Sequence, residues 1–551
     1  MQNLRKTHDL LLQTYRKVKS GKVSKDALIA HALDSGFIDR VDDIFLNAIS
    51  NNSESLPEWD WKPHWGMIET LLRALKTPTL HSSGTTLQQL RLGVNNFDVC
   101  KECVDRLIFG AGQLSEVVTY VSEILSNGVI SYPSPRDGTK LTSDKGFIHY
   151  LDGKPYIFYI FYDQFPAIVI VNPNMGNIIA IYIPHRNFII GHEFKYEKPI
   201  ARLKIEILKH KEQVKKYISS ESASKTVLIS SFMQHTGHTL LNELPGFDLV
   251  LDEIDDVARL PVLVGPHEFF PITSVFPEFA SKNVSKFDLN GSDLFLYCLE
   301  NSMLPVRPMM RHYFISEKFR ARLRNVSVGI KTNVQQDLIR KFQVWLGRMR
   351  GASFNVEAVV NQQKSAIIWI EVRNNHRIWT NQADAIKTII AKLIDRYPSA
   401  SVFIAGWSLP ADPSEEDNVQ IGLDMKIYKE VAEFATGRLP VICGVGLSSE
   451  EKLRWAFRCS ASVVSFGSGM TLPCLVANLP SIVHANSHYV QQSAMHPDID
   501  QRFVFAENLK PYIVIPAEHI IDDPNEPRYQ TRNYSVSGDV IFDALRNILE
   551  S

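Results

Sequence analysis

Residues 463–486 read VVSFGSGMTLPCLVANLPSIVHAN. An apolar run, Ala461 to Val464, ends in a turn of small residues, Ser465-Phe466-Gly467-Ser468-Gly469; a helix-like segment with Thr471 near its start follows, then a second apolar run, Ser481 to Val483. A strand, a glycine-bearing turn and a helix in that order leave free backbone N–H groups and the positive end of a helix dipole pointing at one place, which suits a phosphate. The turn is therefore a candidate diphosphate cradle, with Ser468, Gly469 and Thr471 as its donors. It is not a Walker loop, since no Gly-Lys-Ser/Thr follows, nor the G-x-G-x-x-G fingerprint of dinucleotide folds. Glycine in a βα turn can also serve only to turn the chain.

Two segments upstream bear on the choice. Residues 366–373, AIIWIEVR, form a mostly apolar run that closes on Arg373, followed by Asn374, Asn375, His376, Arg377 and Trp379. In an open α/β sheet, ligands bind outside the carboxyl ends of the strands, so Arg373 first and Arg377 second are candidate diphosphate ligands. A solvated loop beside a buried tryptophan is the alternative. From Val227 to Glu243 the chain reads VLISSFMQHTGHTLLNE. His238 and Asn242 are four apart and Glu243 five, so on a helix they lie near one face. His238 and Glu243 are the candidates for a general base and its orienting partner, or for a structural cap; His235 and Asn242 are candidate acceptor-side residues. Trp407, Gly444 and Gly446 follow the next two predicted strands, and His484 and Asn486 follow the fifth, where base and ribose contacts or loop packing are both open.

Together these segments resemble bacterial sugar-nucleotide glycosyltransferases of the GT-B fold: Gly-His-x-x-x-Asn-Glu after the first strand of one Rossmann-like half, an arginine closing the first strand of the other, and a late Ser/Gly turn before a helix. IEVRNNHRIWTNQ looks like the arginine-bearing strand of fucosyltransferase-type enzymes, and SFGSGMTLPCLVANLPSIV looks like their donor-side turn. Phe466 departs from the histidine that many relatives carry there. The resemblance covers residues 225–500 and implies a nucleotide sugar as co-substrate, a glycan or protein as acceptor, and arginine in place of a metal at the diphosphate. Asp498-Ile499-Asp500 has the D-x-D spacing of metal-dependent transferases, but it follows His496-Pro497 in a loop-like stretch. The expectation is therefore that no metal or other cofactor takes part.

Composition fits an ordinary globular chain: 551 residues, 45% hydrophobic and 22% charged, enough for two or three domains. Lys+Arg 59 against Asp+Glu 60 gives no global bias, which argues against nucleic-acid binding driven by overall charge. The polar start MQNLRKTHDLLLQTYRKVKSGK lacks the apolar core of a signal peptide, and no stretch is long and apolar enough to span a bilayer. The expected location is the cytoplasm of a bacterium, with peripheral membrane contact left open. Six cysteines make no disulfide framework, and Cys100-Lys-Glu-Cys103 lacks the second pair that would complete a zinc site.

The pattern predicts an α-helical accessory domain over residues 1–130, a strand layer plus a first, acceptor-side Rossmann-like half over 131–345, and a second, nucleotide-sugar donor half over 346–551. YIFYIFY, AIVIVNP and NIIAIYIP read as the strand layer, with a hairpin turn over residues 172–177. TVLISSF, DLVLDE, PVLVGP and DLFLYCL read as strands of the first half. AIIWIEV, SVFIAGW, LPVICGV, ASVVSFG and SIVHAN read as strands of the second, spaced by helices at 381–396, 423–436 and 449–458. A connector helix falls at 334–349. The function expected is transfer of a sugar from a nucleotide-activated donor, to extend a surface polysaccharide or glycosylate a protein. A sugar-nucleotide epimerase or hydrolase and a non-catalytic nucleotide-binding scaffold are the rival readings.

Overall fold

The computed structural model describes residues 2–49, 65–74, 79–81, 100, 103, 115–151, 154–162, 166–173, 176, 178–191, 197–232, 236–287, 291–309, 315–329, 366–409, 413–491, 508–510, 512–526, 528 and 531–551. His235, the connector helix at 334–349, Asp498-Ile499-Asp500 and part of the hairpin turn at 172–177 lie outside these residues. The chain divides into two compact units. One holds residues 1–232, 249–265 and 282–311; the other holds 233–248, 266–281 and 312–551.

Among the described residues the first unit carries an antiparallel pair, Ile130–Pro133 with Lys140–Ser143, and two larger sheets. Strands Gly146–Leu151, Lys154–Phe161, Ala167–Val171, Ile178–Ile183 and Phe188–Gly191 form an antiparallel meander, and Thr79–His81 adds to its far edge in parallel. Helices Gln2–Lys19, Lys25–Asp34, Phe37–Ile49 and Trp65–Ala74, with Glu197–Lys209 and Lys211–Ile218, bury their apolar stripes in one core with this sheet: Phe45, Leu71, Leu203 and Tyr217 join Phe147, Ile170 and Tyr182. The second sheet is parallel, in the order Val284–Lys286, Val262–Val264, Lys225–Ser230, Met303–Val306. The Tyr217 hydroxyl donates to the carbonyl of Met303 at 2.8 Å and that of Tyr159 to Pro305 at 2.9 Å, which joins the layers.

Two expected strands are helices. DLVLDE lies in Leu244–Glu253, and DLFLYCL lies in Gly291–Glu300. In the latter, buried Leu294, Phe295, Cys298 and Leu299 recur at helical spacing, and short apolar runs do not distinguish a buried strand from a helix.

The second unit is built on a parallel sheet in the order Val441–Gly444, Ser401–Ala405, Ile367–Glu371, Ala461–Ser465, Ser481–His484, Tyr512–Val514. Ile368, Ile370, Val402, Ile404, Val463, Ile482 and Val483 are fully buried, as in a parallel sheet covered on both faces. The covering helices start where the sequence caps them. Ser414 with Asp417 and Ser448 with Glu451 form capping boxes for Glu415–Ala435 and Ser449–Ala456. Gln382–Arg396 buries Ala385, Ile386, Ile389, Ile390 and Leu393 and packs on the last helix, Gly538–Glu550.

Numbered along the chain, this sheet runs 3-2-1-4-5-6, the order of a dinucleotide-binding Rossmann sheet. The protein is thus α/β, with two Rossmann-like parallel sheets preceded by α-helices, the element content of a GT-B fold. Among the described residues no helix is long and apolar enough to cross a membrane.

Candidate functional site

In the 3-2-1-4-5-6 order the direction of winding reverses between Ile367–Glu371 and Ala461–Ser465, and the crevice beyond their carboxyl ends is where such sheets bind ligands. Both arginines and the glycine turn singled out in the sequence lie there. Gly467 has φ +113° and ψ −135°, a conformation that residues with a Cβ do not adopt readily. A Cβ built on it would lie 3.0 Å from Nη2 of Arg377 and 3.8 Å from Nη1 of Arg373. The two guanidinium groups therefore converge on one turn. Burial holds the Arg377 guanidinium below its ordinary range, and the charge of Arg373 adds to the depression. Among the described residues neither is ion-paired to a carboxylate, and Nη1 of Arg373 is buried without a hydrogen-bond partner. Gathering like charges and leaving one donor unmet is unfavourable unless an anion completes the site.

Local polar contacts fix Arg373. Its amide donates to Oε1 of Gln382 at 3.0 Å, and Nε2 of Gln382 donates back to its carbonyl at 3.2 Å. Its Nε donates to Oδ1 of Asn375 at 3.0 Å. Asn374 donates to Oδ1 of Asp424 at 2.8 Å, and the amide of Trp407 donates to Oδ2 of the same carboxylate at 2.6 Å, so one carboxylate ties together the loops after adjacent strands. Burial pushes Asp424 up to about 6 and brings the fully buried Lys452 down to about 8; each charge offsets part of the other's shift. Gln382 closes the segment IEVRNNHRIWTNQ, while nothing in the sequence pattern marked Asp424 or Lys452, which sit within helices. Asn374 and Asn375 were visible as a polar pair beside the arginine.

The turn itself departs from the simple helix expected. Ser468–Met470 is a single 3-10 turn and Thr471–Val476 a π turn, so no long helix dipole faces the crevice. Among the described residues the amides of Gly467 and Ser468 have no hydrogen-bond acceptor, and the buried Oγ1 of Thr471 lacks a partner. Successive free amides in a turn make an anion-binding nest without a long helix.

Gly469 also has a packing reason to be glycine. A Cβ there would lie 1.7 Å from Oε2 of Glu371, the oxygen that accepts from the amide and hydroxyl of Ser465 at 3.1 and 2.8 Å. The position is glycine because the Glu371 carboxylate occupies the space. Gly469→Val is expected to displace Glu371 and lower unfolding free energy by about 1–3 kcal/mol. Denaturant unfolding checks this, and parent-like stability would refute the contact.

The segment Thr236–His238 belongs to the same unit. A Cβ on Gly237 would lie 3.4 Å from the Ser468 Cβ and 3.6 Å from Oγ1 of Thr471, and the Thr236 hydroxyl lies 3.2 Å from that of Ser449. His238 is half-buried, and its Nδ1 lies 3.0 Å from Oδ1 of Asn242. An amide oxygen only accepts, so this contact puts the proton on Nδ1 and the basic lone pair on Nε2. Residues 239–243 form a π turn, a feature frequent at functional sites, and Asn242 within it is a partner of His238. Glu243 is fully buried, shut off from solvent.

Other candidates from the sequence fall inside the fold. His484 and Asn486 are fully buried and offer no surface to a nucleotide, contrary to expectation, because the strand Tyr534–Val536 and its flanks cover them. His484 Nδ1 lies 2.8 Å from the Tyr534 hydroxyl, and Asn486 Nδ2 donates to the Arg532 carbonyl at 3.0 Å. Gly444 packs under Phe403, where a Cβ would lie 2.2 Å from the ring. Gly446 turns at φ +73° and donates to the carbonyl of Trp407; Trp407 is half-buried, with Nε1 donating to Asp417 at 2.7 Å.

Burial lowers His484 to about 3. The unfolded chain therefore binds the proton that the folded chain refuses between about pH 6.5 and 3. This contribution is complete above pH 6.5 and is lost as pH falls through that window, about 1 kcal/mol by pH 5.5. Unfolding midpoints at pH 7.5 and 5.5 check it, and His484→Phe is expected to flatten the difference.

No protein-family model and no curated protein matches the chain. Glycosyltransferases stand among its structural neighbours. The chain is similar to an E. coli heptosyltransferase bound to ADP at 11% identity over 59% of this chain and 98% of that one, with a TM-score of 0.27. It is similar to the UDP-forming α,α-trehalose-phosphate synthase of Burkholderia vietnamiensis at 10% identity over 65% and 70%, with a TM-score of 0.29. A UDP-GlcNAc 2-epimerase from Neisseria meningitidis bound to UDP-GlcNAc matches at 12% identity over 63% and 74%, with a TM-score of 0.24. Scores this low say nothing about what the chain does.

Proposed function

We propose that the protein is a glycosyltransferase whose C-terminal unit binds the diphosphate of a nucleotide-activated sugar. The observation that carries this reading is the convergence of two guanidinium groups without ion-paired carboxylates on the Gly467 turn, at the point where the sheet reverses its winding. A diphosphate supplies the anion this arrangement calls for, and Arg373, Arg377 and the turn amides match the charge that develops on it as the sugar leaves. In the transfer, the acceptor hydroxyl oxygen bonds to the anomeric carbon as the bond from that carbon to the phosphate oxygen breaks. Nε2 of His238 takes the acceptor proton, and the diphosphate departs with the bonding electron pair. Direct attack of this kind inverts the anomeric centre. The acceptor is a glycan or a protein, and the setting a bacterial cytoplasm.

A thermal-shift panel of UDP, GDP, ADP and their parent nucleosides tests the binding step. Stabilisation by a diphosphate but not by its nucleoside is expected, since a ligand that binds only the folded state raises apparent stability. No response to any diphosphate would overturn the reading. Product analysis then separates transfer, which needs an acceptor, from epimerisation or hydrolysis, which do not. With arginines in the place where a metal would stabilise the leaving group, activity is expected to survive chelation. Complete loss, restored by manganese or magnesium, would return Asp498 and Asp500 to the mechanism.

A further inference from the structure

Arg377 is held in a position that costs energy. Its backbone has φ +57°, a left-handed conformation that is uncommon outside glycine, asparagine and aspartate. Its amide donates to the Thr531 carbonyl at 3.1 Å, and the next amide, of Ile378, donates to Oδ1 of Asn533 at 2.8 Å, so the strained turn is pinned on the backbone side. The side chain is desolvated and lies beside a second guanidinium of the same sign. Left to itself, it would swing away from Arg373 into water.

Tyr489, on the short helix Ser487–Gln491, opposes that swing. The Arg377 guanidinium carbon lies 4.8 Å from the centroid of its ring, within cation–π range. The ring is backed by Phe466, whose centroid is 5.5 Å away and which belongs to the same turn as Gly467. The amide of Tyr489 donates to Oδ1 of Asn486 at 3.2 Å, which ties the helix to the end of strand Ser481–His484. Backbone and ring thus hold Arg377 from two sides over the glycine that leaves room for it.

We propose that Tyr489 is a positioning residue for phosphate binding, its ring holding the Arg377 guanidinium over the Gly467 turn. This rests on the nucleotide-diphosphate reading above. It also gives buried Asn486 and aromatic Phe466 roles as supports of that ring.

A double-mutant cycle tests it, with dissociation constants for UDP, GDP and ADP measured by calorimetry on the full chain and far-UV circular dichroism confirming each fold. Tyr489→Leu is expected to weaken diphosphate binding by about 2- to 30-fold, and Tyr489→Phe, which keeps the ring, to stay within about twofold of the parent. In an Arg377→Ala background Tyr489→Leu is expected to cost nothing further, because the residue acts through that guanidinium. An equal loss in both backgrounds, or unchanged binding by Tyr489→Leu alone, overturns the assignment. A parent that binds none of the three diphosphates overturns the functional reading itself, a different outcome from binding with additive losses.

Discussion

Replacing His238 with alanine is expected to lower turnover by about 10²–10⁴ while nucleotide affinity stays near the parent's. The expectation follows from the tautomer. With Nδ1 directed at the Asn242 oxygen, Nε2 is the nitrogen proposed to take the acceptor proton, and the segment bearing it abuts Ser468 and Thr471. Asn242→Ala is expected to fall between parent and His238→Ala, since it removes the orienting contact and leaves the base. Turnover with saturating donor and acceptor, alongside donor affinity, distinguishes these outcomes. If His238→Ala turns over like the parent, the Gly237–Glu243 segment is structural and the base must be sought elsewhere.

Arg373→Ala is expected to weaken nucleoside diphosphate binding by about 1.5–3 kcal/mol and to reduce turnover by about 10²–10³, with the fold retained. The guanidinium makes one side-chain contact within its own loop, to Asn375, and Nη1 is unmet, so little protein structure depends on it. Arg373→Lys keeps the charge but loses the planar fork, and is expected to recover only part of the affinity. Calorimetric titration checks both variants. Unchanged affinity in a folded Arg373→Ala protein would remove the residue from the site.

Five of the six strands of the C-terminal sheet were readable because they are mostly apolar and set apart by helix-sized intervals; Tyr512–Val514, the sixth, was not among those expected. Arg373, Arg377 and the turn Ser465–Gly469 could be placed at one end of the sheet from topology alone, since strand ends and a glycine turn are sequence-local features. What lay beyond reach depends on tertiary packing. The crowding that keeps residue 469 a glycine comes from the Glu371 carboxylate at the end of another strand, which no local pattern shows. His484 looked like a cleft residue until Tyr534, fifty positions on, was seen to cover it. DLFLYCL carries an apolar run short enough for a strand, and its helical period shows only in which residues are buried.

The assignment of residues 233–248 and 266–281 to the unit otherwise formed by 312–551 bears on how the gene can be divided. A fragment beginning at His312 would keep both arginines and the glycine turn but would lack His238, and with it Phe247 and Phe276, whose rings stack 6.1 Å apart in that unit. Shuffling at that boundary would therefore yield chains with the proposed phosphate site and without the proposed proton acceptor. Inheritance of the two as a pair requires an exchange that spans the first unit's later strands as well, so recombination is constrained to treat residues 233–551 as one cassette.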